Sequence, residues 1–226
     1  MSAEEWVWDA QEDVYDYWKS EHSDWEYGVK MFSSPVRESA DILILGYQPG
    51  GGVDAFDYYH DTYEEGNFSL PDKHRYLTAD WKLARKMRDL FGENTELLAD
   101  SVKSNIIYFR APDIATWERL EEKRRNEIEQ FCFGYVQELV EQVNPSVILA
   151  EGISTWDELR SLLSINTGTQ IKRGNHRLVC VSETDDPKVI GIMHPSGAHI
   201  SREDWERLKR QTLSVLDEQL DENIVY

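Results

Sequence analysis

Short, unbroken apolar runs alternate along this chain with longer amphipathic stretches, and the two patterns predict strands and helices in turn. Residues 41–46, Asp-Ile-Leu-Ile-Leu-Gly, form an apolar run closed by glycine, the pattern of a central parallel strand covered on both faces. Residues 105–109, Asn-Ile-Ile-Tyr-Phe, read as a second strand, opened by Asn105 and broken by the turn chemistry of Ala111-Pro112-Asp113. A third strand covers residues 146–150 and stops at Glu151-Gly152, and residues 177–181 and 189–193 supply two more candidates. Between these runs, Leu77, Trp81, Leu83, Ala84, Met87, Leu90 and Phe91 predict a helix over residues 75–91, stopped at Gly92. Further helices are predicted over residues 117–143, ending before Asn144-Pro145, and over residues 155–163. A closing helix over residues 201–220 turns Trp205, Leu208, Leu213 and Leu216 inward, with Ser201 as its cap. Ahead of the first strand, Val7, Ala10, Val14 and Trp18 recur at helical spacing within an aromatic-rich stretch, residues 4–27.

Strands alternating with helices predict an α/β fold, a three-layer α/β/α sandwich with a mainly parallel central sheet. The expected organisation is an acidic, aromatic-rich helical extension over residues 1–38 and an α/β/α domain over residues 39–226. A chain of 226 residues with 40% apolar and 12% aromatic residues can bury its own core, so a monomer is the plain expectation. No apolar run approaches the ~18 residues of a membrane span. The opening residues lack the cationic and apolar regions of a secretory signal. Two cysteines, Cys132 and Cys180, build neither a disulfide framework nor an iron–sulfur cluster. A reducing, cytoplasmic setting is the expectation.

Charge complicates any nucleic-acid role, since the net charge is −19 and phosphate binding wants a basic face. The distribution is uneven. Residues 1–70 hold 16 acids against 3 bases. Residues 73–88 hold six bases (Lys73, Arg75, Lys82, Arg85, Lys86 and Arg88) against one acid, Asp80. Such an acidic balance suits either solubility at high salt or an acidic partner-binding face.

In open α/β sheets ligands bind beyond the carboxyl ends of the strands, and the chemically informative residues fall there. Gly46-Tyr47-Gln48-Pro49-Gly50-Gly51-Gly52 follows the first strand; it matches neither a Walker loop nor a dinucleotide fingerprint, yet allows close backbone approach to a phosphate or base. His194-Pro195-Ser196-Gly197 puts an imidazole after the last strand, able to donate to a developing anion. Asn105 offers a donor and an acceptor side by side, the groups that read a base edge. Cys132 and Cys180 read as buried small hydrophobes. The pairs Glu64-Glu65 and Asp185-Asp186 read as solvated surface, and His60, His74, His176 and His199 lack zinc-site spacing.

Taken in order, the Gly-x-x-Pro-Gly loop, the Asn-led strand ending at Arg110, the Pro-x-Val-Ile-Leu-Ala-x-Gly strand and the terminal His-Pro-Ser resemble the uracil-DNA glycosylase superfamily over roughly residues 40 to 215. The resemblance implies excision of uracil or a related deaminated base from single- or double-stranded DNA, by base extrusion and hydrolysis of the N-glycosidic bond without metal or other cofactor. It assigns Gln48 and His194 to catalysis, and Gly46, Tyr47, Phe68 and Asn105 to the base. Pro49, Gly50, Arg110, Pro195, Ser196 and Gly197 fall to the DNA phosphates. Phe68 is the candidate stacking ring, with Tyr58 and Tyr59 as rivals. Gln48 departs from the Asp, Asn or Ala common at the water-handling position, and an amide orients water without taking its proton. Two other readings stand beside this one: a non-catalytic base- or nucleotide-binding protein on the same fold, and an interaction protein using the acidic N-terminal region.

Overall fold

A computed structural model of the chain describes residues 3–54, 68–184, 186–197 and 199–222. Helix α1 (Ala3–Glu21) leads into β1 (Ile42–Gly46). Among the described residues, helices α2 (Arg75–Thr78), α3 (Lys82–Phe91) and α4 (Thr95–Asp100) follow. Then come β2 (Val102–Asn105), α5 (Ile114–Trp117), α6 (Glu122–Val143), β3 (Val147–Glu151) and α7 (Ile153–Leu162). The chain closes with β4 (Thr167–Arg173), β5 (His176–Ser182), β6 (Lys188–Ile192) and α8 (Arg202–Glu222).

Among the described residues, six strands form one mixed sheet in the order β2-β1-β3-β6-β5-β4. β2, β1, β3 and β6 run parallel, and the β4–β5 hairpin adds antiparallel strands at one edge. Because side chains alternate along a strand, the central strands feed two separate cores. Leu43, Leu45, Ile148 and Ala150 join α1, α6 and α7 on one face, whereas Ile42, Ile44, Val147 and Leu149 join α3, α4 and α8 on the other. This is the arrangement of a three-layer α/β/α sandwich. No described helix is long and apolar enough to cross a membrane.

Helix α1 buries Trp6, Val7, Ala10, Val14 and Trp18, the stripe its spacing predicts. The Trp18 indole donates to the Trp25 carbonyl at 3.0 Å, and the Trp6 indole reaches Glu138 on α6 at 2.8 Å. Ser201 caps α8 by accepting from the Asp204 amide at 3.2 Å. Asn144, left-handed at φ 47°, ends α6 ahead of Pro145.

Four expectations need correction. The helix expected over residues 75–91 is broken at residues 79–81 into α2 and α3, with the Ala79 backbone extended at ψ 155°. The helix expected from residue 117 begins at Glu122, after the separate turn α5. β4 and α4 carry no apolar alternation and went unread; β4 is a largely exposed edge strand, where polar residues are the rule. The fourth concerns β2, which occupies residues 102–105, so Asn105 closes the strand rather than opening it. The apolar run after it leaves the sheet and pairs with the β1 loop instead, through Ile106 N to the Gly46 carbonyl (2.9 Å) and Ile107 N to the Tyr47 carbonyl (2.8 Å). Beyond β2, residues 28–34 cover the sheet edge, with Ser33 N donating to the Lys103 carbonyl at 2.9 Å.

Candidate functional site

Three strands end side by side at the carboxyl edge, and register sets what they bring together. Gly46 on β1 lies opposite Asn105 on β2 and Glu151 on β3. All three point to the α3/α8 side, as does Lys103, two residues before Asn105. The space where a Gly46 side chain would stand is taken by their functional groups. A Cβ there would lie 2.6 Å from Asn105 Oδ1, 3.1 Å from Lys103 Nζ and 3.2 Å from Glu151 Oε2. Gly46 is therefore a close-approach glycine, and what approaches is the chain's own polar cluster.

That cluster is almost dry. Lys103 Nζ sits 3.3 Å from Glu151 Oε2, with the two side chains 4% and 1% exposed. The same ammonium lies 3.3 Å from Asn105 Oδ1 and donates to the Ser104 carbonyl. The Tyr76 hydroxyl on α2 donates to Glu151 Oε2 at 2.8 Å. Burial, followed by the Glu151 charge, holds the Tyr76 phenol protonated far above its ordinary range, which keeps it a donor. Burial pulls the Lys103 ammonium down and Glu151 opposes it. His74, 1% exposed, caps α2 by accepting from the Tyr76 amide at 3.2 Å. Desolvation, then the Lys103 charge, depresses this imidazole to about 3, so His74 is neutral.

His194 follows β6 and reaches the same mouth. Gly152, at φ 130°, would place a Cβ 3.6 Å from His194 Cδ2, so the turn after β3 packs against the imidazole. The Ser196 and Gly197 amides donate to His194 Nδ1 at 3.3 and 3.0 Å. Two donors on Nδ1 leave the neutral ring's hydrogen on Nε2, available to an acceptor. Burial lowers the His194 pKa, Glu151 pushes it up, and Lys103 and Lys82 push it down. A neutral imidazole with its hydrogen on Nε2 results. Lys82, at the start of α3, clamps this loop by donating to the Ser196 carbonyl at 2.6 Å; Pro195 is buried and Gly197 exposed.

The glycine-rich loop is braced from below. Pro49 is buried and its carbonyl accepts from the Ala111 amide at 3.1 Å. Gly50 is exposed, and its carbonyl accepts from the Arg110 guanidinium at 3.1 Å. Arg110 is itself 3% exposed, so it holds the loop instead of presenting its head to solvent, correcting its assignment to a DNA phosphate. Gln48 Oε1 is buried without a hydrogen-bond partner among the described residues. Tyr47 turns the other way: its hydroxyl lies 3.4 Å from Glu129 on α6, and burial ahead of Glu129 and Glu158 pushes its pKa up to about 12. Its ring is thus on the opposite face of the sheet from Asn105, and the side chain drops out of the base-binding set. Phe68 is half-buried, edge-on to Tyr15 of α1 with centroids 6.1 Å apart. Tyr58, Tyr59, His60 and Glu64-Glu65 lie outside the described residues.

Cationic groups gather around this edge despite the chain's acidity. Burial, then Arg75, Arg110 and Lys103, pushes the Lys30 ammonium down to about 7. Trp81, 43% exposed, stands on the rim with the Arg75 guanidinium 5.8 Å from its ring centre. His199 does not join the mouth; it lines a neighbouring cavity of about 310 Å³ with His176, Arg173 and Asp204. Cys132 is fully buried, and burial pushes its thiol up to about 12, the state of an inert core residue. No group of three metal-ligating side chains occurs among the described residues.

Lys103, Glu151 and Tyr76 are the members that sequence reasoning missed. A charge closing an otherwise apolar central strand, as Glu151 does after Val-Ile-Leu-Ala, is the signal that marks such a site. No protein-family model matches this chain, and no curated protein matches it either. The class defined by fold and site is an α/β protein with a dry polar cluster and a donor histidine at the carboxyl edge of its sheet.

Proposed function

We propose that the chain is a divergent member of the uracil-DNA glycosylase superfamily, a DNA-repair enzyme that hydrolyses the N-glycosidic bond of uracil or a related deaminated base. One observation carries the reading. Gly46, Asn105 and His194, which the resemblance names from separate parts of the chain, converge on one carboxyl edge with His194 offering Nε2–H.

On this reading the extruded base enters the mouth with its edge against Asn105. The C1′–N bond breaks with its electron pair leaving on the base, and an oxocarbenium-like sugar remains. His194 donates through Nε2 to the base oxygen on which the charge grows, in a site that excludes most water. Water held by the Gln48 amide adds to C1′, and its proton departs to solvent, because an amide cannot retain it. DNA approaches a locally basic rim formed by Arg75, Lys82 and Arg85 around the exposed Trp81, a combination suited to phosphates and an unstacked base.

Gln48 favours a second reading, a protein that recognises the base without cutting. Alkaline cleavage of a labelled oligonucleotide carrying one uracil, from low to molar salt, decides between them. Strand breaks at the uracil support the glycosylase. Selective binding with no breaks at any salt favours the second reading, and neither binding nor breaks refutes both.

A further inference from the structure

We propose that Lys103 is a positioning residue that fixes which end of the Asn105 carboxamide faces the mouth, restricting the site to bases that carry a carbonyl, rather than an amine, on the edge Asn105 reads. The inference rests on the base-binding reading above and deepens it.

An ammonium has three donors and no acceptor, so the atom facing it across 3.3 Å must be the carboxamide oxygen. Asn105 Nδ2 is then turned away from Lys103, and the group left for a ligand is a donor. The ammonium has little freedom to move aside. Glu151 Oε2 at 3.3 Å and the Ser104 carbonyl hold it, and Tyr76 holds Glu151 in turn. Lys103 and Glu151 are buried to within a few percent, so neither side chain has an alternative partner in water.

Stability alone explains this pair poorly. Taking two charges out of water is expensive, and packed apolar residues commonly serve as well or better. A buried pair that orients a reading amide has a reason to persist. Gly46 adds a second indication, because leaving out its side chain is what lets Asn105, Lys103 and Glu151 meet. A donor presented by Asn105 pairs with the carbonyl that deamination creates and opposes the amine that deamination removes.

Fluorescence anisotropy with oligonucleotides bearing a single 2′-fluoro nucleotide, which resists cleavage, reads this directly. The base is uracil, 2-pyrimidinone (neither carbonyl nor amine at that edge) or cytosine. The wild-type protein is expected to bind them in that order, with uracil over cytosine by roughly tenfold or more, since a donor facing a donor leaves both unpaired. K103M/E151Q removes both charges together and strands neither; it is expected to bring that ratio to within about twofold, the orienting donor being gone. K103Q/E151Q keeps an N–H donor at the position and is expected to retain most of the preference. Wild-type selectivity unchanged in K103M/E151Q overturns the inference while leaving the glycosylase reading intact. A wild-type order with cytosine first overturns the inference without any variant having to fold, and counts against the uracil reading as well. Equal binding of all three bases and of undamaged DNA refutes the base-binding reading itself, and the inference with it.

Discussion

The two faces of the sheet solve different problems with the same strands. On the α1/α6/α7 side, the strands meet aromatic and aliphatic side chains: Trp6, Tyr15, Trp18 and Trp25 belong to one buried cluster with Leu43, Leu45 and Ile148, and Tyr47 packs against it. On the α3/α4/α8 side, the packing is as dry through Ile42, Ile44 and Leu149. Two residues further along β1 and β3 it gives way to Gly46 and Glu151, beside Lys103 and Asn105 on β2. Burial that secures the fold on the first face becomes, at the end of the second, the low-dielectric setting in which orientation and charge matter most. The first face should govern stability and the second chemistry, and substitutions can separate the two.

The largest expected effects fall on buried members of each face. Lys103→Met alone strands Glu151 without its cation and should cost about 3–5 kcal/mol in chemical denaturation, with loss of base binding. Trp18→Ala on the opposite face should cost about as much, roughly 3–5 kcal/mol, yet leave activity per folded molecule unchanged. If Trp18→Ala abolished activity in folded protein, the division of labour would be wrong. Gly46→Ala comes next, at about 1–3 kcal/mol. Its methyl must displace Asn105 Oδ1, so base binding should fall further than the melting temperature suggests.

Acid acts on the second face through His74. His74 has a folded-state pKa of about 3, against about 6.5 for an unfolded histidine. Between those values the unfolded chain binds a proton that the folded chain refuses, so stability declines as pH falls from about 6.5 toward about 3. His74→Asn keeps a capping acceptor for Tyr76 and removes the titration. Urea denaturation across this window should show the wild type losing on the order of 2–4 kcal/mol more than the variant. The smallest effect belongs to the surface of the first face. Arg124 holds Asp24 through two hydrogen bonds, but Asp24 is largely exposed, and Arg124→Ala should cost less than about 1 kcal/mol through loss of this pair.

How far the sequence foretold this follows from the same contrast. β1, β3 and β6 were legible because apolar side chains on both faces leave an unbroken hydrophobic run. β2 was not, because three of its four residues, Lys103, Ser104 and Asn105, are buried polar groups; the apolar residues that follow pair with a loop. Asn105 and His194 were found as single chemical groups at strand ends. Lys103 and Glu151 were missed, since they acquire meaning only from the register that sets β2 and β3 on either side of Gly46. The resemblance gives Tyr47 and Arg110 to ligands from their places just past the first two expected strands. The alternation of faces sends Tyr47 to α6, and the need to brace Gly50 draws Arg110 inside.

On the proposed reading, the carboxyl edge on the α3/α8 side is a catalytic mouth with His194 as its donor. Alkaline cleavage of a uracil-containing oligonucleotide by the wild type and His194→Ala, at matched folded concentration, tests it most directly. Cleavage by the wild type that falls by roughly a hundredfold or more in the variant is the expected result, the scale of losing one donor to a developing anion. Equal cleavage by the two proteins would contradict the account by placing the chemistry elsewhere.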